Sequence, residues 1–123
     1  MILKKSRYTI RMKVNILEDV ENPIFAFTIK NVRGVEITGT NTMFEKKDIE
    51  LARAGETYII SFTQDMMLQG GEYLLSLGCT GFESEGLVVY QRLYDITEIT
   101  VISEQDTVGT YDCNSSVSVE KIE

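Results

Sequence analysis

The sequence predicts an antiparallel β-sandwich of seven or eight short strands, formed by a single domain of 123 residues. Three observations predict it. Apolar and polar residues alternate along most of the chain, which is the period of a strand with one buried face. Turn-forming residues separate the alternating segments at the spacing typical of sandwich folds. Hydrophobic residues make up 43% of the chain, which is enough to build an independent core.

The first strand is predicted from Ser6 to Leu17, where apolar and polar residues alternate without interruption. After an acidic turn, the segment from Asn22 to Thr42 predicts a hairpin with a tight turn at Val32-Arg33-Gly34. We expect its second strand to end at Gly39 to Thr42, in a loop or a sheet corner, because small polar residues bend readily and hydrogen-bond their own backbone.

The middle of the chain predicts one short and one longer strand. Ile49 to Leu51 has the spacing of a short edge strand, and the run opened by Gly55-Glu56 alternates as far as Phe62. The crossing segment that follows contains Met66-Met67-Leu68, which is too short for a helix and predicts a turn or a single helical turn.

Two long strands are predicted next. Glu72 to Cys79 places four apolar residues on one face, so Cys79 is expected to be a core thiol. Thr80 to Gly86 predicts a flexible loop. Leu87 to Ile102 predicts one long strand, or two strands broken near Tyr94-Asp95. The core positions expected in its last part are Ile99 and Val101.

Residues 103–123 are expected to form a C-terminal tail on a core of about residues 6–102. A last alternating piece lies at Val117 and Val119, beyond the polar linker 113–116. A strand on such a linker docks in its own sandwich or exchanges into that of a second copy. The sequence leaves both arrangements open.

Charge and composition exclude several classes of function. With 19 acidic and 12 basic residues the net charge is -7, and such a surface repels phosphate backbones, so nucleic acid is not expected as a partner. The chain has no histidine, which removes the commonest general base and the usual catalytic triads. It also lacks a phosphate-binding loop motif. We therefore expect no enzyme activity, no cofactor and no metal site.

Neither an export signal nor the roughly 18 consecutive apolar residues of a membrane-spanning helix are present in the sequence. Cys79 and Cys113 could form a disulfide in an oxidising compartment. Two thiols in a chain with no export signal are more often reduced, so free cysteines are the favoured interpretation.

Two groups of residues are candidates for binding. Tyr90, Arg92 and Tyr94 fall on one face at strand spacing, and aromatic rings beside a forked donor suit a sugar's apolar face and its hydroxyls. The alternative is that both tyrosines are core residues covered by the stem of Arg92. The polar side of the first strand, with Arg11 and Lys13, is either solvated surface or a groove for a polar or acidic glycan.

Four segments follow one another in a recognisable order. They are the hairpin NPIFAFTIKNVRGVEITGTNT, the Gly55-Glu56 strand opening, the strand GGEYLLSLGCT and the strand VVYQRLYDITEITV with its Tyr94-Asp95 step. Taken together, they resemble the C-terminal domain of Wzt-type ATP-binding subunits of polysaccharide-exporting ABC transporters. The likeness runs from about Ser6 to Ile102.

The resemblance implies an immunoglobulin-like, jelly-roll-like β-sandwich that binds an exported polysaccharide, of the O-antigen or teichoic-acid type, or its lipid-linked precursor. It implies as partners the ATPase domain and membrane subunit of an ABC transporter, at the cytoplasmic face of the membrane. It further implies a homodimer, in some members with an exchanged C-terminal strand. An ATPase domain would then precede Met1 or be encoded separately. Of the binding residues, only Tyr90, Arg92 and Tyr94 are carried over.

The residues by themselves leave a second hypothesis. A purely structural or protein-interaction sandwich would have the same alternation, and its exposed edge or its C-terminal strand would pair with a partner protein.

Overall fold

Nine strands and no helix make up the described part of the chain, residues 1–83 and 86–122 of a computed structural model, which leaves the side chains of residues 82–95 undescribed. The all-β prediction is confirmed, and three of the nine strands are only two residues long. In chain order the strands are β1 Ile2–Leu3, β2 Arg7–Asn15, β3 Val20–Glu21, β4 Ile24–Asn31, β5 Glu36–Asn41, β6 Leu51–Ala52, β7 Thr57–Asp65, β8 Gly71–Glu83 and β9 Gly86–Ile102.

The described strands form a large sheet and two small ones. The large sheet has five strands in the order β1-β9-β8-β4-β5, all antiparallel except the pair of β1 with β9. β2 pairs with β7, and β3 pairs with β6. The β2 and β7 sheet packs face to face on the five-stranded sheet, which gives the two layers of a sandwich.

Alternation along each strand builds the core between the layers. Ile10 and Met12 of β2 are buried, whereas Arg11 between them is exposed. Phe27 of β4 meets Phe62 of β7 edge to face across the core, with the ring centroids 5.0 Å apart. The five-stranded sheet also contributes Ile99 and Val101 to the core, as predicted. Further core residues of this sheet are Phe25, Ile29, Tyr73 and Leu75.

The predicted hairpin is present as β4 and β5, and the side chain of Asn31 explains its turn. Asn31 Oδ1 accepts hydrogen bonds from the backbone N–H groups of Arg33 and Val35, at 2.9 and 3.0 Å. This arrangement lets the side chain stand in for a backbone partner at the end of the strand. Gly34 has a φ of 83°, a left-handed conformation that glycine adopts without strain.

The expected corner at Gly39 to Thr42 is wrong. β5 continues to Asn41, and Thr42 is buried, where its hydroxyl accepts a hydrogen bond from the N–H of Phe25 at 3.1 Å. A Cβ on Gly39 would lie 2.4 Å from the carbonyl oxygen of Phe27, so glycine here permits close strand approach rather than a bend. The chain turns after Thr42 instead, closed by a hydrogen bond from the N–H of Lys47 to the Thr42 carbonyl.

The flexible loop expected at Thr80 to Gly86 is also wrong over its described part. β8 runs on to Glu83 and β9 begins at Gly86, paired with it, because backbone pairing outweighs the small residues of this segment. β9 is a single strand. Its register against β8 shifts between Leu75 and Leu77, opposite the Tyr94-Asp95 step, which is where the sequence allows a break.

A buried ammonium group fastens the chain's first strand to its C-terminal segment. Lys4 Nζ donates to Gln69 Oε1, to the Gln105 carbonyl and to Asp112 Oδ2, each at 2.7 Å. The side chains of Lys4 and Asp112 are 4% and 8% exposed. All three ammonium hydrogens therefore have an acceptor, as a buried charge requires. Gln69 also binds Thr107 through both its amide atoms, which fixes residues 103–112 to the body.

Beyond Asp112 the described tail is exposed and forms no strand within the single chain. Val117 and Val119 are 87% and 92% exposed. Cys79 is half-buried and Cys113 is exposed, and both are free thiols.

Candidate functional site

Two grooves flank the small sheet of β2 and β7, because two strands cannot cover a layer of five. The first, which we call the basic groove, has a volume of about 520 Å³ and lies between β2 and β8. Its polar wall is Arg11, Lys13 and Asn15, and its apolar side includes Leu17 and Leu77 to Cys79. The second, the lateral cleft, has a volume of about 560 Å³ and lies between β5 and β7.

The basic groove takes its polar wall from strand alternation. Arg11, Lys13 and Asn15 are exposed because they occupy the positions between the buried residues of β2. Arg11 Nε is 3.5 Å from Ser61 Oγ, a long contact that leaves most of the guanidinium donors available. Lys13 has no partner among the side chains that the structure describes.

A ladder of cross-strand pairs orders the outer face of the same sheet. Arg7 and Asp65 form an exposed ion pair at 3.2 Å, and the hydroxyls of Thr9 and Thr63 lie 2.8 Å apart. Because Asp65 neutralises Arg7, the positive charge left on this face is that of Arg11 and Lys13, at the end bordering the basic groove.

The candidate residues Tyr90, Arg92 and Tyr94 have side chains outside the described part of the structure. Their backbone belongs to β9, and the register pairs Arg92 with Gly78 of β8. Gly78 is one of the residues that line the basic groove. The backbone of this predicted segment therefore runs beside the strand that forms one side of the groove.

Cys79 lies at the apolar side of the basic groove. Burial raises the pKa of its thiol, so the group stays protonated near neutral pH. A neutral, half-buried thiol packed against the core is a poor nucleophile, which agrees with the predicted role of a core residue.

The lateral cleft has an apolar floor and polar walls. Phe27, Ile60 and Phe62 of the core form its floor. Thr38 and Thr40 of β5 stand on one side, and Tyr58 and Gln64 of β7 stand on the other. A further hollow of about 450 Å³ adjoins it at its Gln64 end and is lined by Tyr8, Met66, Leu68 and Tyr111, among others.

Gln64 stands at one end of this cleft. Its Nε2 atom is shielded from solvent, and the side chain as a whole is half-buried. Its neighbour across the sheet is Tyr8, whose pKa is raised by burial, while a side-chain hydrogen bond with Gln64 opposes that rise.

Charges of opposite sign stand at the mouth of the lateral cleft. Glu45 Oε2 accepts a 2.6 Å hydrogen bond from the hydroxyl of Thr40, whereas Lys47 has no side-chain partner among the described residues. The mouth thus has no net charge, in contrast to the basic groove.

The two grooves offer donors, acceptors and apolar floors, which are the groups of a binding site. Within the residues described, no cluster of three or more acidic, cysteine or histidine side chains could hold a metal ion. Nor does that part of the chain contain a helix long and apolar enough to cross a membrane.

The lateral cleft was missed by sequence reasoning. Its walls come from strands that are distant in the chain, and its threonines and Gln64 look like ordinary solvated strand residues. No local pattern in the sequence indicates it, because Gly39, the one unusual residue beside it, marks only the close approach of β5 to β4.

Comparison with known proteins gives two matches. The family model described as the Wzt C-terminal domain matches residues 2–113. A solved structure described as the crystal structure of the C-terminal domain of wzt superposes with a TM-score of 0.88 at 24% identity, covering 97% of this chain and 73% of that one. At that identity the structural match shows the fold alone. No curated protein matches the chain.

Proposed function

The chain belongs to the Wzt C-terminal domain family, and from that premise we propose that it is a noncatalytic module that binds a bacterial cell-surface polysaccharide for export by an ABC transporter. The family match over residues 2–113 is the observation that carries the proposal. The resemblance seen in the sequence points to the same role. The grooves of the sandwich supply places for such a ligand.

We assign the first contact with the glycan to the basic groove. Arg11 and Lys13 are exposed donors with few competing partners, and apolar residues lie beside them. Sugars have hydroxyls that accept such donors and C–H faces that pack on apolar surface. Tyr90, Arg92 and Tyr94 of the adjacent strand remain part of this proposal.

The partners follow from the same family. We propose that the domain works with an ATPase domain and the membrane subunit of the exporter, on the cytoplasmic side of the membrane, and presents the polymer or its lipid-linked precursor to them. We also propose a homodimer, because two linked sites raise the avidity for a repeating polymer. The tail has three exposed apolar residues, Val117, Val119 and Ile122. Burying them against a second copy of the chain would be favourable.

An array of bacterial surface polysaccharides tests the proposal. The purified domain should bind one glycan class saturably, and Arg11→Gln or Lys13→Gln should weaken that binding about two- to tenfold, since each removes a charged donor. The free energy of unfolding should change by less than about 0.5 kcal/mol, because both side chains are exposed. Arg33→Gln, at the exposed hairpin turn, is the matched control.

The same assay applied to single substitutions of Tyr90, Arg92 and Tyr94 separates the two sequence hypotheses for them. Lost binding at an unchanged melting temperature supports a site, whereas a lowered melting temperature supports core packing. If the domain binds no glycan but captures a partner protein through a sheet edge, the interaction-module hypothesis replaces this one.

A further inference from the structure

We propose that the basic groove selects a sugar unit that has a negative charge, on a carboxylate or a phosphate group, and that Arg11 and Lys13 bind that group. The inference rests on the proposed function, because it names the class of sugar that the same groove takes. It goes beyond hydrogen bonds to hydroxyls, which any neutral sugar could accept.

The two cations of the groove have strand neighbours that cannot neutralise them. In the register of β2 with β7, Ser61 lies opposite Arg11 and Ile59 lies opposite Lys13. The arginine at the start of β2, in contrast, has a carboxylate opposite it and pairs with that carboxylate at 3.2 Å. The small sheet therefore pairs one of its cations internally and leaves the charge of the other two for a ligand.

Arg11 and Lys13 also repel each other. Residues two apart on a strand project from the same face, with their Cα atoms about 7 Å apart. Like charges at that distance repel, and they do so more strongly where apolar atoms replace part of the solvent. An anionic group bound between the two side chains offsets this repulsion and accepts charge-assisted hydrogen bonds from both of them.

No acidic side chain lines the described part of the groove. Its lining consists of the segment Arg11 to Asn15, Leu17 and the segment Leu77 to Cys79. The chain as a whole has 19 acidic and 12 basic residues, so a groove with two cations and no carboxylate has the opposite sign to the rest of the surface. Such a local field attracts a small anion at short range.

The apolar side of the groove indicates a sugar rather than a free ion. Leu17 is 86% exposed, and Leu77 and Cys79 add partly buried apolar surface. The volume of about 520 Å³ is more than a lone phosphate or carboxylate group fills, and it lies within the range of small-molecule sites. A pyranose can pack its C–H face on the apolar side while its charged group reaches the cations.

The rival occupant is an extended anionic surface, such as a membrane rich in acidic lipids. Recognition of such a membrane takes clusters of about four to eight basic residues, whereas this groove has two described cations. A membrane would also meet more of the protein surface, and the net charge of -7 opposes that contact. A single charged sugar senses mainly the charges within about 8 Å, so the local pair outweighs distant acids.

Matched forms of one glycan test the inference in the intact domain. The probes are oligosaccharides cut from the surface polysaccharide of the protein's own organism. One portion stays native, one is carboxyl-reduced, and one is treated with hydrofluoric acid to remove phosphate groups. In isothermal titration, one of the two neutralised forms should bind at least about tenfold more weakly than the native form, and that form identifies the anion. Binding of the native form should also weaken between about 0.05 and about 0.5 M sodium chloride.

Arg11→Gln and Lys13→Gln assign the anion to the groove. Each should weaken binding of the native form about two- to tenfold and flatten its salt dependence, because one charged donor is lost. The affinity for the neutralised form should stay within about twofold of the wild type, since the charge that the side chain binds is already absent. Arg33→Gln removes one charge at the exposed hairpin turn and is the control, which should bind every form as the wild type does.

The outcomes distinguish this inference from the proposed function. If no form of the glycan binds, the proposed function fails and the inference fails with it. If all three forms bind equally well, the groove selects no anion, and only the inference is wrong. If neutralising the glycan weakens binding but both variants keep the selectivity of the wild type, the anion binds elsewhere and the assignment to Arg11 and Lys13 is wrong. Sedimentation of the wild type, but not of the variants, with vesicles of acidic lipid would identify a membrane surface as the occupant, which also overturns the inference.

Discussion

At the scale of single residues, the most consequential arrangement is the buried ammonium of Lys4. A lysine side chain is normally solvated, yet that of Lys4 is 4% exposed and meets three oxygens at 2.7 Å. Such a pair contributes little net stability over an apolar one, but removing one partner leaves a buried charge without compensation. The Lys4 ammonium group therefore fixes residues 103–112 to the segment that follows β1.

Asp112→Asn should lower the melting temperature at neutral pH and flatten the acid limb of the stability curve. The hydrogen bond from Lys4 holds the pKa of Asp112 below its ordinary value, and the N–H of Asn114 adds to this. The contribution is therefore full above the unfolded-state pKa of about 3.9 and is lost as pH falls through the lower native pKa. Thermal unfolding followed by circular dichroism from pH 7 to pH 2 measures both effects.

Asp48→Asn is the control, because Asp48 is exposed and the structure describes no partner for it. An Asp112→Asn chain with the acid limb of the wild type would show that the pair contributes nothing to the pH dependence.

At the scale of elements, close contact between β4 and β5 sets the shape of the lateral cleft. β5 stays straight past Gly39 because the missing Cβ lets its backbone approach Phe27 and Thr28. This keeps Thr38 and Thr40 in one line along the wall of the cleft. The turn that begins after Thr42 then brings Glu45 and Lys47 to its mouth.

Gly39→Ala should destabilise the domain by about 1–3 kcal/mol, the usual cost of forcing an extra methyl group into a packed site. The new Cβ would lie 2.4 Å from the Phe27 carbonyl oxygen and 3.1 Å from the Thr28 Cα, and backbone atoms cannot move aside as a side chain can. Urea unfolding measures the change. Thr38→Ala, one residue away and exposed, should change the unfolding free energy far less, and equal losses in both variants would contradict this account of Gly39.

Strand alternation explains how much of the fold could be predicted. It located β2, β7 and the hairpin, because a half-buried strand shows its period in every residue. It failed at Gly39 to Thr42, where close packing against β4 decides the conformation, and at Thr80 to Glu83, where pairing with β9 does. Arg11 and Lys13 could be proposed from one strand. The lateral cleft could not, because it depends on which edges of two sheets face each other.

At the scale of the whole molecule, the exposed C-terminal tail would form the contact between the two copies of the proposed dimer. Deleting residues 116–123 should convert a dimer into a monomer that keeps its fold, because the described part of this tail, residues 116–122, makes no strand in the single chain and exposes Val117 and Val119 almost fully. Light scattering after size-exclusion chromatography gives the mass, and circular dichroism gives the fold. A truncated chain that retains the dimer mass would show that the tail is not the contact.

The measurement that tests the central claim most directly is a titration of the isotope-labelled wild-type domain with oligosaccharides cut from the surface polysaccharide of its own organism. The account predicts saturable shifts of the amides around Arg11 to Asn15, and no cleavage of the oligosaccharide during the experiment. Unmoved amides at saturating concentrations of that polymer, or turnover of it by the pure domain, would contradict a noncatalytic glycan-binding role.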